Sequence, residues 1–373
     1  MFQFAALFTV LFFSLSPVQA DEVYRSQEHD FKLVPITEDL SHPWGLAFLP
    51  NGDMLITERD KPALRLLSNG QLHPKPIIGL PDHIKTSGQG GLLDVTLHPD
   101  FEQNRLIYFS YAGSQQGRAG TEVARAKLVN HRLEHLETIF SVTPKTGGSA
   151  HYGSRLQFDK NGLLYITVGD RYNLMNEAQN PANHLGSIMR ITDDGGAPMD
   201  NPFAKHPTYR PEIFSFGHRN PQGLTMRPSD GTIWAHEHGP RGGDEVNKLK
   251  AGANYGWPAI TYGIDYSGAT ISDKTHLQGM EQPIVYWDPS IAPSGMEFYD
   301  ATAFPNWQGN LFVGALAQRH LRRLVMQGDQ VVEQEVLLKG FARIRDIKTG
   351  PDGFIYILTD HDNGGLYRLE PLS

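Results

Sequence analysis

The chain of 373 residues contains no cysteine, which excludes disulfides, thiolate nucleophiles and thiolate metal sites. Its 33 lysines and arginines are outnumbered by 41 aspartates and glutamates, and they form no basic stripe suited to a nucleic-acid partner. Long helical periodicity is nearly missing, and no segment after the first 20 residues has the length and apolarity of a transmembrane helix. These absences argue against a thiol enzyme, a nucleic-acid-binding protein, a helical bundle and a protein that spans a membrane.

The N-terminus has the pattern of an export signal, although it carries no lysine or arginine before the apolar run. The apolar run over residues 4–15 is too short for a stable membrane anchor. The small residues Val18 and Ala20 suit signal-peptidase cleavage. We therefore predict a signal peptide over residues 1–20 and a single mature domain over residues 21–373, which is soluble and either periplasmic or secreted.

A weak repeat runs through the rest of the sequence. Its unit is a turn rich in Pro, Asp, Asn and Gly, followed by a short strand rich in β-branched and aromatic residues. The six units have strands at residues 54–57, 106–109, 164–167, 233–234, 311–313 and 355–358. A following strand with arginine among apolar residues occurs at 64–67, 188–191, 321–324 and 366–369.

Repeats of this size, with several short strands each, are typical of propeller blades. We therefore predict an all-β fold, a six-bladed β-propeller. The irregular spacing of the units indicates long inserted loops, which in propellers gather on one face and form the site there. A β-sandwich or a pair of β-domains is the alternative, but no linker-like break divides the repeats.

The most polar, glycine-rich segment spans residues 236–247, with carboxylates, histidines, an arginine and three glycines. Carboxylates and inward-turned carbonyls are what an oxygen-ligand site needs. Upstream, the segment 217–223 contains Arg219 and Asn220, which can present a cation and an amide to one ligand. Either loop alone is best explained as ordinary polar surface, but their proximity in sequence favours a site.

Other loops carry further candidates. His151 lies among small residues and not in an apolar run, so it is a candidate general base near neutral pH. Gln89, in a glycine-rich run, offers an amide to a ligand. Arg343 and Arg345 alternate on a predicted strand, where two like charges favour an anionic ligand. The alternative is a plain turn for the Gln89 segment and a solvated edge for the two arginines.

Six motifs, taken together and in order, resemble those of the soluble aldose sugar dehydrogenases of the glucose/sorbosone dehydrogenase family, which depend on pyrroloquinoline quinone (PQQ). They lie at residues 42–48, 88–93, 151–156, 217–223, 238–245 with 254–258, and 343–346. The resemblance covers nearly the whole mature chain. It implies a six-bladed propeller, in agreement with the repeat, and it implies PQQ and Ca²⁺ as cofactors.

The resemblance also implies roles for individual residues. It makes His151 the catalytic base, with Arg219 assisting at the quinone carbonyl. The implied cofactor-binding residues are Gln89, Arg219, Asn220, Arg343 and Arg345. The implied calcium ligands are the carbonyls of Gly239 and Pro240 for the cofactor calcium, and Glu245 and Tyr255 for a further calcium nearby.

The sequence departs from the family pattern at two positions. Ala150 stands where glucose enzymes of the family have an aspartate before the base, so another carboxylate must orient His151 or the base is less firmly held. Ala317 stands where some members carry a quinone-binding lysine. Either Arg319 replaces that charge, or the cofactor is held with one charge fewer.

The function implied is PQQ-dependent oxidation of the anomeric hydroxyl of an aldose sugar to a lactone. Hydride passes to the quinone, His151 takes the proton, and an external electron acceptor completes the cycle. The sequence leaves monomer and homodimer open. The alternative is a calcium-stabilised propeller with a lactonase or non-redox ligand-binding role, but the arginines predicted around one site favour an anionic quinone.

Overall fold

The computed structural model of the protein describes residues 22–372, so the predicted export signal lies outside the described residues. These residues form six small antiparallel sheets. The first strands of the sheets contact one another in a closed ring, which places the sheets radially around one axis. The fold is a six-bladed β-propeller, which confirms the prediction from the repeat.

The chain begins with β1 (Val23–Tyr24) and β2 (Phe31–Leu40), which join the last blade. The other five blades follow the chain, each from the axis outwards. Blade 1 contains β3 (Pro43–Phe48), β4 (Met54–Glu58), β5 (Ala63–Ser68) and β6 (Gln71–Leu72). Blade 2 contains β7 (Leu92–Leu97), β8 (Leu106–Gln115), β9 (Arg118–Val129) and β10 (Arg132–Ser141). Blade 3 contains β11 (Leu156–Phe158), β12 (Leu164–Val168), β13 (Ser187–Ile191) and β14 (Ile213–Phe216).

The second half of the chain continues the pattern. Blade 4 contains β15 (Pro221–Met226), β16 (Ile233–Glu237), β17 (Asp244–Lys248) and β18 (Val285–Trp287). Blade 5 contains β19 (Pro293–Phe298), β20 (Leu311–Ala315), β21 (His320–Gln327) and β22 (Gln330–Leu337). Blade 6 contains β23 (Ile344–Thr349), β24 (Ile355–Thr359) and β25 (Gly364–Pro371), followed by β2 and β1. One short helix, α1 (Phe101–Asn104), and two 3-10 turns (Met175–Gln179 and Pro305–Trp307) connect strands, and no helix in the described part of the chain could cross a membrane.

Each strand predicted after a repeat turn is the second strand of a blade, and the arginine-bearing strands are third strands. The second strands β4, β12, β20 and β24 are buried at every residue. Both faces of a blade are covered by neighbouring blades, so these strands are continuous apolar runs without polar alternation. The core therefore lies in layers between adjacent blades, as in the cluster of Leu55, Leu64, Leu92 and Phe109 between blades 1 and 2.

Strands from both ends of the chain form blade 6. The N-terminal β2 pairs with the C-terminal β25, with Phe31 opposite Pro371 at one end and Leu40 opposite Gly364 at the other. Phe31 is fully buried and contacts the Trp307 ring edge-to-face at 5.9 Å. This pairing closes the ring by hydrogen bonds and packing.

A buried arginine links the blades at the axis. Arg155, just before β11, lies 3.0 Å from Asp346 of blade 6 and 3.4 Å from Asp94 of blade 2. It donates hydrogen bonds to the carbonyls of Gln222 in blade 4 and Arg345 in blade 6. Its guanidinium also lies over a tryptophan ring of blade 1 at 4.0 Å. One side chain thus contacts elements of four other blades, beneath the site described next.

Candidate active site

A cavity of about 380 Å³ opens at one end of the propeller axis. Its lining comes from the starts of first strands, such as Trp44 and Arg345, and from residues that follow second strands, such as Arg59 and Asp360. In an antiparallel blade these two positions lie at the same end. The repeat turns join first to second strands, so they lie at the opposite end. The topology therefore gathers distant loops around one opening, as predicted.

Backbone irregularities turn several side chains into this cavity. In five blades, the pairing of the first and second strands shifts register near the cavity. Each such bulge leaves one residue without a partner on the neighbouring strand. Its side chain then points in a direction that the regular alternation of the strand would not give. Trp44, Leu93, Gln222 and Arg345 lie at four of these shifts, and all four line the cavity.

His151 is held next to this cavity by two hydrogen bonds. Its backbone N–H donates to Gln89 Oε1 at 2.8 Å, and its ring Nδ1 lies 2.6 Å from Asp170 Oδ1. The backbone of His151 has φ of 53°, a left-handed conformation that is uncommon for residues other than glycine and is concentrated at functional sites. The following residues, Tyr152 and Gly153, line the cavity, whereas His151 is 5% exposed and lies outside the lining.

Asp170 is the orienting carboxylate, a role that sequence reasoning did not assign. It follows β12, is fully buried, and accepts hydrogen bonds from Trp257 Nε1 and from the backbone N–H of Tyr172, both at 2.8 Å. A carboxylate held this firmly places the imidazole proton on Nδ1 and leaves Nε2 as the basic nitrogen. The sequence offers only an aspartate two residues after an apolar strand, which is not a distinctive pattern.

The environment of His151 keeps its ring neutral. Burial lowers the pKa of His151, and the positive charges of Arg219 and Arg171 lower it further, while Asp170 opposes the shift. The pKa therefore lies below the ordinary histidine value of 6.5. A neutral imidazole at physiological pH is the state that a general base requires.

The loop that carries His151 is fixed by Arg171. This guanidinium donates to the carbonyl of Ala150, to the carbonyl of Gly148 at 3.2 Å and to Thr146 Oγ1 at 3.2 Å. It also lies 3.7 Å from the centre of the Tyr152 ring. Although Ala150 departs from the family pattern, the adjacent pair of aspartate and arginine after β12 holds both the base and its loop in place.

The other predicted residues of this group lie close by. Gln89 lines the cavity and, by its bond to His151, connects the lining to the base. Asn220 also lines the cavity, and its side-chain oxygen accepts from the backbone of Gly153 at 3.1 Å. Arg219 is buried and donates to the carbonyls of His238 and Gly239 at 3.1 and 2.6 Å, so it lies between the cavity and the glycine-rich loop.

Arg343 and Arg345 both line the cavity, so the solvated-edge alternative is wrong for Arg345, which is buried. The anion that meets them in the protein is Asp360, which forms a hydrogen-bonded ion pair with Arg345 and lies 3.7 Å from Arg343. Burial would raise the pKa of Asp360, but Arg345 holds it well below its usual range. His42 Nδ1 also contacts Asp360, at 2.8 Å. Sequence reasoning identified neither Asp360 nor His42 as part of the site.

The cavity lining is positively charged in an otherwise acidic protein. Three arginines and one aspartate line it, which gives a formal charge of +2 with neutral histidines, against −8 for the whole chain. Arg345 Nε is buried and has no hydrogen-bond partner within residues 22–372. A volume of this size is typical of small-molecule sites. The residues present therefore fit a compact polyanion such as the tricarboxylate PQQ.

The structure places the two candidates for the missing lysine away from this lining. Ala317 is exposed and lines a neighbouring cleft. Arg319 is exposed, and its guanidinium donates to the carbonyl of Phe341 at 2.8 Å. The idea that Arg319 supplies the missing charge is therefore not supported by its position.

The residues predicted to bind calcium lie around a second, much smaller cavity of about 10 Å³, the size of one water molecule or ion. Gly239, Glu245 and Tyr255 line it, together with Glu237, whereas Pro240 lines the neighbouring cleft. The structure thus brings together three of the four predicted ligands.

The carboxylates of Glu237, which is buried, and Glu245, which is partly buried, line this small cavity. Glu237 accepts hydrogen bonds from His218 Nδ1 at 2.8 Å and from the backbone of Arg219 at 2.5 Å. Glu245 accepts from Asn247 Nδ2 at 3.2 Å, and burial followed by the charge of Glu237 raises its pKa to about 8. A bound cation would offset both the burial of the Glu245 carboxylate and its repulsion from Glu237. The oxygen atoms of these two side chains therefore fit calcium.

Carbonyl oxygens have to complete any such calcium site. The described residues contain no group of three or more His, Asp or Glu side chains arranged for a metal ion. The Tyr255 hydroxyl already donates to the carbonyl of Lys248 at 2.7 Å and accepts from the backbone of Lys250 at 3.0 Å. An oxygen that Tyr255 offers to a cation is therefore its backbone carbonyl.

Comparison with known proteins agrees with this fold. The family described as Glucose / Sorbosone dehydrogenase matches residues 40–368. The aldose sugar dehydrogenase YliI of Escherichia coli strain K12 is 44% identical over 343 residues, which cover 90% of this chain and 92% of that protein. A crystal structure of a glucose dehydrogenase has 45% identity and a TM-score of 0.88, with coverage of 92% of this chain and 100% of that chain. The PQQ-bound form of an aldose sugar dehydrogenase from Streptomyces coelicolor has 26% identity and a TM-score of 0.77, with coverage of 91% and 98%. By its sequence and its fold, the chain belongs to the glucose/sorbosone dehydrogenase family.

Proposed function

We propose that this protein is an oxidoreductase that oxidises the anomeric hydroxyl of aldose sugars to lactones with PQQ and Ca²⁺. The observation that carries the proposal is a positively charged cavity directly beside a neutral histidine held by a buried aspartate. The names of the relatives, aldose sugar dehydrogenase and glucose dehydrogenase, support the substrate class. The PQQ-bound relative from Streptomyces coelicolor supports the cofactor.

Different residues of this chain would accept the proton, hold the cofactor and supply positive charge. His151 accepts the proton of the anomeric hydroxyl at Nε2, and Asp170 stabilises the imidazolium that results. Gln89, Asn220, Arg343 and Arg345 would hold the anionic cofactor in the cavity that they line. Arg219, a buried cation next to the cavity, would supply positive charge toward the bound cofactor.

When bound, PQQ would supply the two-electron oxidant that takes hydride from the sugar, and calcium would supply a Lewis acid. We propose the carbonyls of Gly239 and Pro240 for the cofactor calcium, and Glu245 and Tyr255 for a further calcium nearby. An external electron acceptor then regenerates the enzyme. We place the mature protein, residues 21–373, in the periplasm or outside the cell, and its state as monomer or homodimer is open.

The test begins with reconstitution. Protein purified without cofactor is incubated with PQQ and CaCl₂, and dye reduction is followed with a panel of aldoses. We expect sugar-dependent turnover and an absorption band of the bound quinone that bleaches when sugar is added. If no aldose is oxidised at saturating cofactor, the proposal fails. Lactone hydrolysis in the absence of PQQ would instead support the calcium-dependent lactonase.

His151→Ala tests the base. We expect a loss of roughly 10²- to 10⁴-fold in kcat, because proton transfer by a positioned side chain contributes about that much. The quinone spectrum and the unfolding temperature should stay close to those of the wild type. The exposed His276 offers a matched control as His276→Ala. Sugar oxidation left intact in His151→Ala, or a variant that does not fold, would contradict the assignment.

A further inference from the structure

We propose that Arg59 is a further cofactor-binding residue, which supplies to the central cavity the positive charge that position 317 lacks. The inference rests on the proposed function, because the anion that Arg59 would bind is the polycarboxylate cofactor. Neither the sequence motifs nor the resemblance assigned Arg59 any role.

The position of Arg59 follows from the blade topology. It is the first residue after β4, so it lies at the cavity end of blade 1. It lines the cavity with Gln89 and Arg345, and its Nη1 lies 3.5 Å from the carbonyl of Gly88. After the larger effect of burial, its charge also contributes to the lowered pKa of Arg345. Arg59 therefore lies between two groups already assigned to the cofactor.

The guanidinium of Arg59 has bonding capacity left over. Its side chain is 13% exposed, and its Nε is buried without a hydrogen-bond partner among the residues that the structure describes. Its ion-pair partner is the adjacent residue Asp60, whose Oδ1 lies 2.9 Å from Arg59 Nη2 and leaves Nε unpaired. A carboxylate that enters the cavity would offer Arg59 Nε a charge-assisted hydrogen bond, which that nitrogen does not make within the described residues.

The alternative sources of charge lie elsewhere. Arg319 donates to the carbonyl of Phe341 on the exposed surface, and Ala317 cannot carry a charge. Arg59 is one of three arginines in the lining of the cavity, so removing it reduces the formal charge of the lining, counted with neutral histidines, from +2 to +1. Binding of a trianion should respond strongly to that change.

The experiment measures cofactor binding, not turnover. Apo protein in CaCl₂ is titrated with PQQ by isothermal titration calorimetry, for the wild type, Arg59→Gln and Arg59→Lys. We expect Arg59→Gln to raise Kd by roughly ten- to a hundredfold, the usual range for losing a hydrogen bond to a charged group. Arg59→Lys should keep part of the affinity, because the charge remains while the planar fork is lost. The affinity of Arg59→Gln should also depend less on salt than that of the wild type.

Two further variants make the result specific. Arg319→Gln tests the other candidate cation, and Arg118→Gln, at an exposed residue of blade 2, is a plain charge control. Both should bind PQQ like the wild type. A wild-type protein that does not bind PQQ would overturn the proposed function itself. A wild type that binds, with Arg59→Gln equal to it or Arg319→Gln equally weakened, would overturn only the role of Arg59. Unfolding curves of the apo variants show whether each has folded.

Discussion

At the scale of single residues, the site depends on how one carboxylate fixes one imidazole. Asp170 accepts from the Trp257 indole and from a backbone N–H, so it cannot rotate away from His151. Burial alone would leave the histidine neutral but free to adopt either tautomer. The hydrogen bond at Nδ1 selects the tautomer with a basic Nε2. Orientation and protonation state thus come from two different causes.

Asp170→Asn separates these causes. The amide can present an N–H to Nδ1, which favours the tautomer with the proton on Nε2, so we expect kcat to fall by roughly 10²- to 10⁴-fold. Because Asp170 raises the pKa of His151, its removal should move the acid limb of the kcat/KM profile to lower pH. In the wild type that limb should already lie below 6.5, since burial lowers this pKa.

The measurement is a pH–rate profile of both proteins with PQQ and calcium, with Asp194→Asn, at an exposed loop residue, as control. An acid limb that moves to higher pH, or a variant with unchanged kcat, would show that Asp170 does not act through His151.

At the scale of elements, the blades use irregular strand starts and tight connections to form the site. Register shifts at the cavity end of first strands re-aim Trp44, Gln222 and Arg345 inwards. The connection between β16 and β17 brings together residues proposed to bind calcium. It places Glu237 at the end of one strand opposite Glu245 on the next, and Gly239 of the connection lines the same small cavity. Two like charges on neighbouring strands are unfavourable unless a cation joins them.

Glu245→Gln tests this connection as a calcium site. Calcium takes six to eight oxygen ligands, so the loss of one charged ligand should weaken binding without abolishing it. A ligand that binds only the folded state raises the unfolding temperature by mass action, so the variant should need more calcium to reach the same stabilisation. Without calcium, the variant should be at least as stable as the wild type, because the mutation removes a carboxyl group whose charged form is disfavoured by burial and by Glu237.

The measurement is the unfolding temperature across a calcium titration that begins in chelator. Glu333→Gln, at an exposed residue of β22, serves as the control. A wild-type unfolding temperature that does not respond to calcium would remove Glu245 from the list of ligands, as would a variant with an identical titration curve.

At the scale of the whole molecule, the ring of blades is held together by contacts near its rim and by contacts at its axis. Near the rim, β2 and β25 join the two ends of the chain in blade 6. At the axis, Arg155 contacts Asp94 and Asp346 from two different blades and is 3% exposed. Arg155 also contacts Trp44 and the carbonyl of Arg345, which both line the cavity, so the arginine that links the blades also supports the site.

Arg155→Met should destabilise the protein by about 3–5 kcal/mol, since it leaves Asp94 and Asp346 as uncompensated buried charges. Arg125→Met removes a partly exposed ion pair of blade 2 with Glu137, and should cost about 0–1 kcal/mol. Urea unfolding of the two variants and the wild type measures the difference. Equal midpoints for the two variants would mean that the axial arginine does not hold the blades together.

The sequence by itself determined the repeat, the all-β class and the number of blades. Turn formers, β-branched strands and buried apolar runs are local signals, and each recurs once in a blade. The sequence also supplied candidate site residues through motifs that are local as well. The family assignment is confirmed, whereas the catalytic and ligand roles of the individual residues stay predictions.

Only the tertiary structure decided how these motifs meet. His42 contacts Asp360 at 2.8 Å across 318 positions of sequence, and Arg155 reaches the carbonyl of Arg345 across 190. Asp170 and Arg59 carry no distinctive local pattern, and they become part of the site because they follow second strands at the cavity end. Closing the ring places residues that are far apart in sequence around one axis, and no local periodicity encodes which of them meet.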